Sequence, residues 1–134
     1  MPRIDFSNVQ DAKNYSPLPE GTYPCQVSDV EEAFTRNADE MFKLVFEVTD
    51  GEFAGRRIFD NLVFSDAALK RAKMILSRLG VDVSGEVDLT PDMLVKKQCL
   101  VSVAIEEYLD RDGNGRTRNN VPYGGYAAVD DASN

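Results

Sequence analysis

The chain has 134 residues, room for one domain around one core, and 43 % of them are hydrophobic, which sets global disorder aside. There is no histidine, so the commonest general base and transition-metal ligand is missing, and a net charge of −8 argues against a uniformly basic surface. No apolar run is long enough to span a bilayer and no charged-then-apolar leader opens the sequence, so a soluble, cytoplasmic protein without a membrane partner is expected.

In chain order, residues 1–20 read as a polar N-terminal arm ending in Ser16-Pro17-Leu18-Pro19, which breaks helix and favours extended backbone; Ile4, Phe6 and Val9 are its docking candidates. Gly21 to Phe34 reads as a first strand with Tyr23, Cys25 and Val27 on one face. The alternation slips at Ser28-Asp29-Val30, which predicts a β-bulge. Arg36-Asn37-Ala38-Asp39 turns the chain into a second strand, where Phe42, Leu44, Phe46 and Val48 alternate with Met41, Lys43, Val45 and Glu47. Asp50-Gly51 and Gly55 supply positive-φ positions for the next reversal, and a third strand runs from Ile58 to Phe64 behind Arg56-Arg57. The period then changes. Leu69, Ala72, Leu76 and Leu79 recur at helical spacing, with Ser65 or Asp66 as N-cap and Gly80 at C′. Thr90-Pro91 opens a short second helical turn. A fourth strand spans Gln98 to Leu109, with Cys99, Val101, Val103 and Ile105 on one face. Asp110 to Gly115 turns it into a fifth strand, Arg116 to Val121. The domain therefore spans 21–123, and 124–134 is expected to be a flexible acidic tail carrying Asp130 and Asp131. The fold class is mainly β: five strands with one α-helix between the third and fourth, the element order of an OB-fold barrel.

Charge is unevenly distributed. Ser28 to Glu52 holds eight acids against two bases, and Gly55 to Leu79 six bases against two acids, so a polyanion meets attraction on one side and repulsion on the other. Cys25 and Cys99 both fall in strands and read as buried, reduced thiols. Candidate contacts for a nucleic acid are Lys43, Arg56, Arg57 and Phe59 on the second and third strands, and Tyr108, Arg116, Arg118 and Tyr123 around the fourth and fifth. Guanidinium groups track phosphates while bases stack on rings; core packing is the alternative use of each ring, and a solvated hairpin that of the Arg56-Arg57 turn. Lys70, Arg71, Lys73 and Arg78 read as the solvated face of the helix. Asp110-Arg111-Asp112-Gly113-Asn114-Gly115 opens like a calcium loop, but Val121 stands where the closing glutamate belongs and strands flank it, so it is read as a β-turn. No catalytic motif is found; Asp39, Glu40 and Lys43 make only a poor carboxylate-metal set. The expectation is a protein that is not an enzyme, with no cofactor and no metal.

Pro17-Leu18-Pro19-Glu20-Gly21-Thr22-Tyr23, the stretch Thr49 to Phe59 and Asp60-Asn61-Leu62 together resemble a family of small bacteriophage proteins. The similarity runs from about Ile4 to about Tyr108. That family was long catalogued as a domain of unknown function and is regarded as single-stranded-DNA-binding proteins of OB-fold type. The resemblance implies a protein that coats single-stranded DNA in the host cytoplasm during phage replication or recombination. Phage replication or recombination proteins are further partners, and a homodimer remains open. Residues alone stop at a small β-rich domain with one helix. They leave a second reading standing, an interaction module that engages a replication or recombination protein through its acidic region.

Overall fold

The computed structural model describes Arg3 and residues 17–129. The expected docking residues Ile4, Phe6 and Val9, and the tail acids Asp130 and Asp131, lie outside the described residues. Within them the strands are β1 (Gly21–Phe34), β2 (Glu40–Val48), β3 (Arg57–Val63), β4 (Gln98–Leu109), β5 (Gly115–Asn120) and β6 (Tyr126–Ala127), with one helix, α1 (Leu69–Arg78), and a 3₁₀ turn at Pro91–Met93. All strand pairings are antiparallel, in the order β3-β2-β1-β4-β5, with β6 joining β4. The five expected strands are thus present, the third and fifth shifted by one residue, and a sixth is added. The sheet does not close by hydrogen bonding between β3 and β5.

The length of β1 explains the curl. Its first half pairs with β4, from Gly21 opposite Val103 to Gln26 opposite Gln98, and its second half with β2, from Cys25 opposite Val48 to Phe34 opposite Glu40. The register slips between Val27 and Asp29, at the predicted bulge. There Val27 leaves β4 and exchanges 2.8 Å backbone bonds with Lys96 and Lys97. One strand thereby serves two partners at an angle and wraps the sheet around the core. The alternation of β2 holds from Phe42 onward: Phe42, Leu44, Phe46 and Val48 are buried, while Lys43 and Glu47 are exposed and Val45 is half-buried; Met41, expected with the outward set, is buried instead. Burial of one such side chain stabilises the fold by about 1.5–3 kcal/mol.

Helix α1 begins later than the sequence suggests. Ala68 holds the N-cap position with no side-chain cap, because Ser65 to Ala68 forms a separate turn closed by a 2.9 Å bond. Leu69 is then exposed, and Ile75 joins Ala72, Leu76 and Leu79 in the core. The C-terminus follows expectation. Gly80 adopts φ +85°, with Val81 N–H bonded to Leu76 O and Gly80 N–H to Ser77 O, a Schellman closure. Proline does open the 3₁₀ turn, although Thr90 makes no side-chain cap bond.

Two terminal segments belong to the body. Leu18 is fully buried, and the Asn119 amide clamps its backbone at both N–H (2.7 Å) and C=O (2.9 Å). The expectation of a flexible tail from Gly124 is corrected by β6: Tyr126 is buried, with its ring 5.7 Å from that of Phe46. Ile105, placed with the inward face of β4, is exposed instead, where the end of β4 and the first residues of β5 project from the core as a hairpin.

Candidate nucleic-acid interface

The outward face of β2 and β3 carries half the predicted site. Alternation puts Arg57, Phe59 and Asn61 on one face of β3, opposite Glu47, Val45 and Lys43 of β2. Phe59 is 67 % exposed, so it is not a core residue, and its cross-strand neighbour is the aliphatic Val45. Among the described residues neither Lys43 nor Arg57 has a salt-bridge partner. The turn that delivers Arg57 is firmly held: Gly51 and Gly55 have φ +86° and +92°, and Gly55 N–H bonds to Val48 O at 2.8 Å. Arg56 does not join the group. It is half-buried, and alternation turns it away from the Arg57–Phe59 face. On the β1 side stand Asp29, opposite Val45, and Glu31, opposite Lys43. A polyanion on this face is therefore repelled along β1 and unopposed toward the open edge of β3.

Tyr108, Arg116 and Arg118 come together on the projecting β4–β5 hairpin. Arg116 lies opposite Tyr108, and Arg118 opposite Glu106. The Arg118 guanidinium stacks 4.5 Å from the centre of the Tyr108 ring, within cation–π range. Its Nε donates to Glu106 Oε1 at 2.5 Å, and Arg116 Nε donates to Asp110 Oδ2 at 2.9 Å. Sequence reasoning missed both carboxylate partners. Pro17, Glu107, Tyr108, Leu109, Arg116 and Thr117 line a shallow groove of about 740 Å³ at this hairpin.

Tyr123 stands apart from both groups, 61 % exposed, in a turn closed by Gly125 N–H to Pro122 O at 2.9 Å. Its neighbour is Arg71, which is not on a solvated helix face as expected. Arg71 Nη2 donates to Asp60 Oδ2 at 2.7 Å and Nη1 to the Asn61 carbonyl at 3.3 Å. Its guanidinium carbon lies 5.9 Å from the ring centre of Tyr123 and 5.8 Å from that of Tyr126. The Tyr126 hydroxyl donates to the same Asp60 oxygen. Burial opposes the charge of Arg71, but the hydrogen bond and charge of Asp60 outweigh it and raise its pKa, so it stays a cation; burial first, then the Asp60 charge, pushes the Tyr126 phenol well above its ordinary value. The signal in the sequence was Asp60 itself. It has the inward parity of Ile58 and Leu62, and an acid at such a position requires a partner.

The family model described as "Protein of unknown function (DUF669)" matches residues 3–130. The chain belongs to that family. No curated protein matches it.

Asp110 does not present a free carboxylate to a cation. Its Oδ1 accepts the N–H groups of Asp112 and Asn114, both at 2.9 Å, and its Oδ2 is taken by Arg116. The Arg116 hydrogen bond, then the Asn114 amide, hold its pKa below the usual value. Among the described residues no group of three or more Cys, Asp or Glu side chains is placed to hold a metal. Cys25 and Cys99 are directly opposite in the β1–β4 register, both buried and free; burial pushes each thiol up to about 12, so both are protonated and unreactive at neutral pH. No helix among the described residues is long and apolar enough to cross a membrane.

Proposed function

We propose that this protein is a non-enzymatic single-stranded-DNA-binding protein of a bacteriophage, coating and protecting DNA during replication or recombination in the host cytoplasm. The observation that carries the reading is Phe59, a large aromatic ring exposed on the outward face of the edge strand β3, between Arg57 and Asn61 and near Lys43 of β2, with no core role. A base stacked on such a ring contributes about 1–3 kcal/mol, whatever its identity, and the flanking cations meet the phosphates. Tyr108, backed by Arg118, offers a second ring of the same kind. The finer fold reading is an OB-type barrel: the order β3-β2-β1-β4-β5 supports it, and the cluster of Asp60, Arg71 and Tyr126 ties β3 to α1 and β6 where no ladder joins β3 to β5.

The test is a band-shift comparison of single-stranded oligo(dT) with duplex DNA at low salt. Stacking is available only to unpaired bases, so oligo(dT) is expected to bind tighter; equal or tighter binding of the duplex overturns the stacking mechanism. One observation favours a second reading, docking of a replication or recombination protein. Phe34 is 70 % exposed at the end of β1, opposite Glu40 and close in sequence to Glu31 and Glu32. A protein that shifts neither DNA but is pulled down with such a partner, and released by Phe34→Ala, supports that alternative.

A further inference from the structure

The register of β3 leaves an edge on which the proposed DNA path depends. Val48 N–H bonds to Arg56 O and Phe64 N–H to Glu40 O, so the even-numbered residues of β3 bond to β2. The odd ones, Arg57, Phe59, Asn61 and Val63, aim their amides at the open edge. Arg71 covers that edge by binding the Asn61 carbonyl, and its planar fork is fully oriented by Asp60 and Asn61. With the fork fixed, the guanidinium supports the Tyr123 ring, while most of that ring stays open to solvent. The turn that carries Tyr123 is packed closely at Gly125, where a Cβ would meet Ser102 O and Val121 Cγ1, each at 3.0 Å. An exposed aromatic ring thus stands beside the guanidinium that covers the β3 edge at Asn61, two residues along the strand from Phe59, while Asp29 and Glu31 repel a polyanion from the opposite side.

We infer that Arg71 is a positioning residue that holds Tyr123 as a second base-stacking platform, so that a bound single strand leaves Phe59 across the open edge of β3 toward the 122–125 turn. The inference rests on the DNA-binding reading above. Arg71 itself does not meet phosphate, because Asp60 already occupies its charge.

Fluorescence anisotropy with labelled oligo(dT), across a salt series, tests it with Tyr123→Leu, Arg71→Gln, the double variant, and Phe59→Ala as reference. Tyr123→Leu is expected to weaken binding about 5-fold or more, the loss of one stacked base. Arg71→Gln is expected to weaken binding in the wild-type background, to add nothing in the Tyr123→Leu background, and to leave the log–log salt slope unchanged. A slope lowered by about 0.7 means that Arg71 contacts phosphate directly and overturns the positioning role. So does an equal loss in both backgrounds. Should Arg71→Gln fail to fold by circular dichroism, Tyr123→Leu still decides, since that side chain is exposed; unchanged affinity there removes the platform. A wild type that does not bind oligo(dT) sinks the DNA-binding reading as a whole. One that binds and loses affinity with Phe59→Ala but not with Tyr123→Leu sinks this inference alone.

Discussion

The β2–β3 face and the β4–β5 hairpin carry the same kinds of side chain, an aromatic ring with two basic residues, yet they differ in what surrounds the charges. The two guanidinium groups on β5 are already paired, Arg116 with Asp110 and Arg118 with Glu106. On the face Lys43 and Arg57 have no ion pair among the described residues, and their acidic neighbours Glu31 and Glu47 sit across the ladder rather than on them. A paired cation brings its carboxylate to the phosphate with it, so its net gain from a polyanion is small. An unpaired one releases the counterions condensed on the nucleic acid. Composition and register alone leave the two regions alike, since Arg118 also faces an acid across its ladder; which side chains close into ion pairs separates them.

The sharpest way to break the comparison is through the rings. Phe59→Ala is expected to weaken oligo(dT) binding about 5- to 150-fold, the range of one stacked base, with the melting temperature nearly unchanged because the side chain is exposed. Phe46→Ala, one strand away but fully buried, is expected to lose about 3–5 kcal/mol of stability. If Phe59→Ala behaves like Phe46→Ala in thermal unfolding, the outward assignment fails. Tyr108→Ala is expected to fall below Phe59→Ala in its effect on affinity, since one face of that ring is given to Arg118.

Salt dependence sharpens the comparison further. Lys43→Ala with Arg57→Ala is expected to lower the log–log salt slope by about 1.4, two single-strand phosphate contacts at about 0.7 each. Arg116→Ala with Arg118→Ala is expected to lower it by clearly less, while still weakening binding, because Asp110 and Glu106 are left as uncompensated charges. Equal slopes for the two double variants would mean that both arginines exchange their carboxylates for phosphate on binding.

Much of this was legible in the sequence, for a physical reason. A half-buried antiparallel strand shows its period directly, and β1 with its bulge, β2 from Phe42 and β4 as far as Val103 were readable from it, while Met41 and Ile105 were given the wrong burial. The outward position of Phe59 followed from the same alternation. What stayed hidden depends on contacts distant in sequence. Arg71 reads as a solvated helix charge until Asp60 is placed beside it, and Tyr126 reads as part of a polar tail until β4 receives it as β6. The ion pairs of Arg116 and Arg118 are set by the hairpin register, which composition does not reveal. The strand order of the sheet belongs to the same class: it is fixed by which half of β1 meets which partner.

The smallest expected effect concerns the turn that aims the hairpin. Asp110 has its carboxyl pKa held below the usual 3.8 by Arg116 and the turn amides. A carboxyl depressed in the folded state contributes stability that is fully present above its unfolded pKa and is lost as pH falls through the folded one. The hairpin tip is therefore expected to be unaffected at neutral pH and to loosen only under acid, at and below the ordinary carboxylate range. Amide hydrogen exchange at Asp112 and Asn114 is the direct readout, because both N–H groups bond to Asp110 Oδ1. Exchange, corrected for its intrinsic pH dependence, should accelerate at these two amides as the pH drops from 5 to 3, but not at Gly113, whose N–H bonds to the Asp110 carbonyl. Asp110→Asn should abolish that pH dependence and release Arg116. The freed guanidinium then becomes an unpaired cation like Arg57, and the salt slope of oligo(dT) binding should rise rather than fall. A slope that stays the same in Asp110→Asn would show that pairing is not what separates the hairpin from the β2–β3 face.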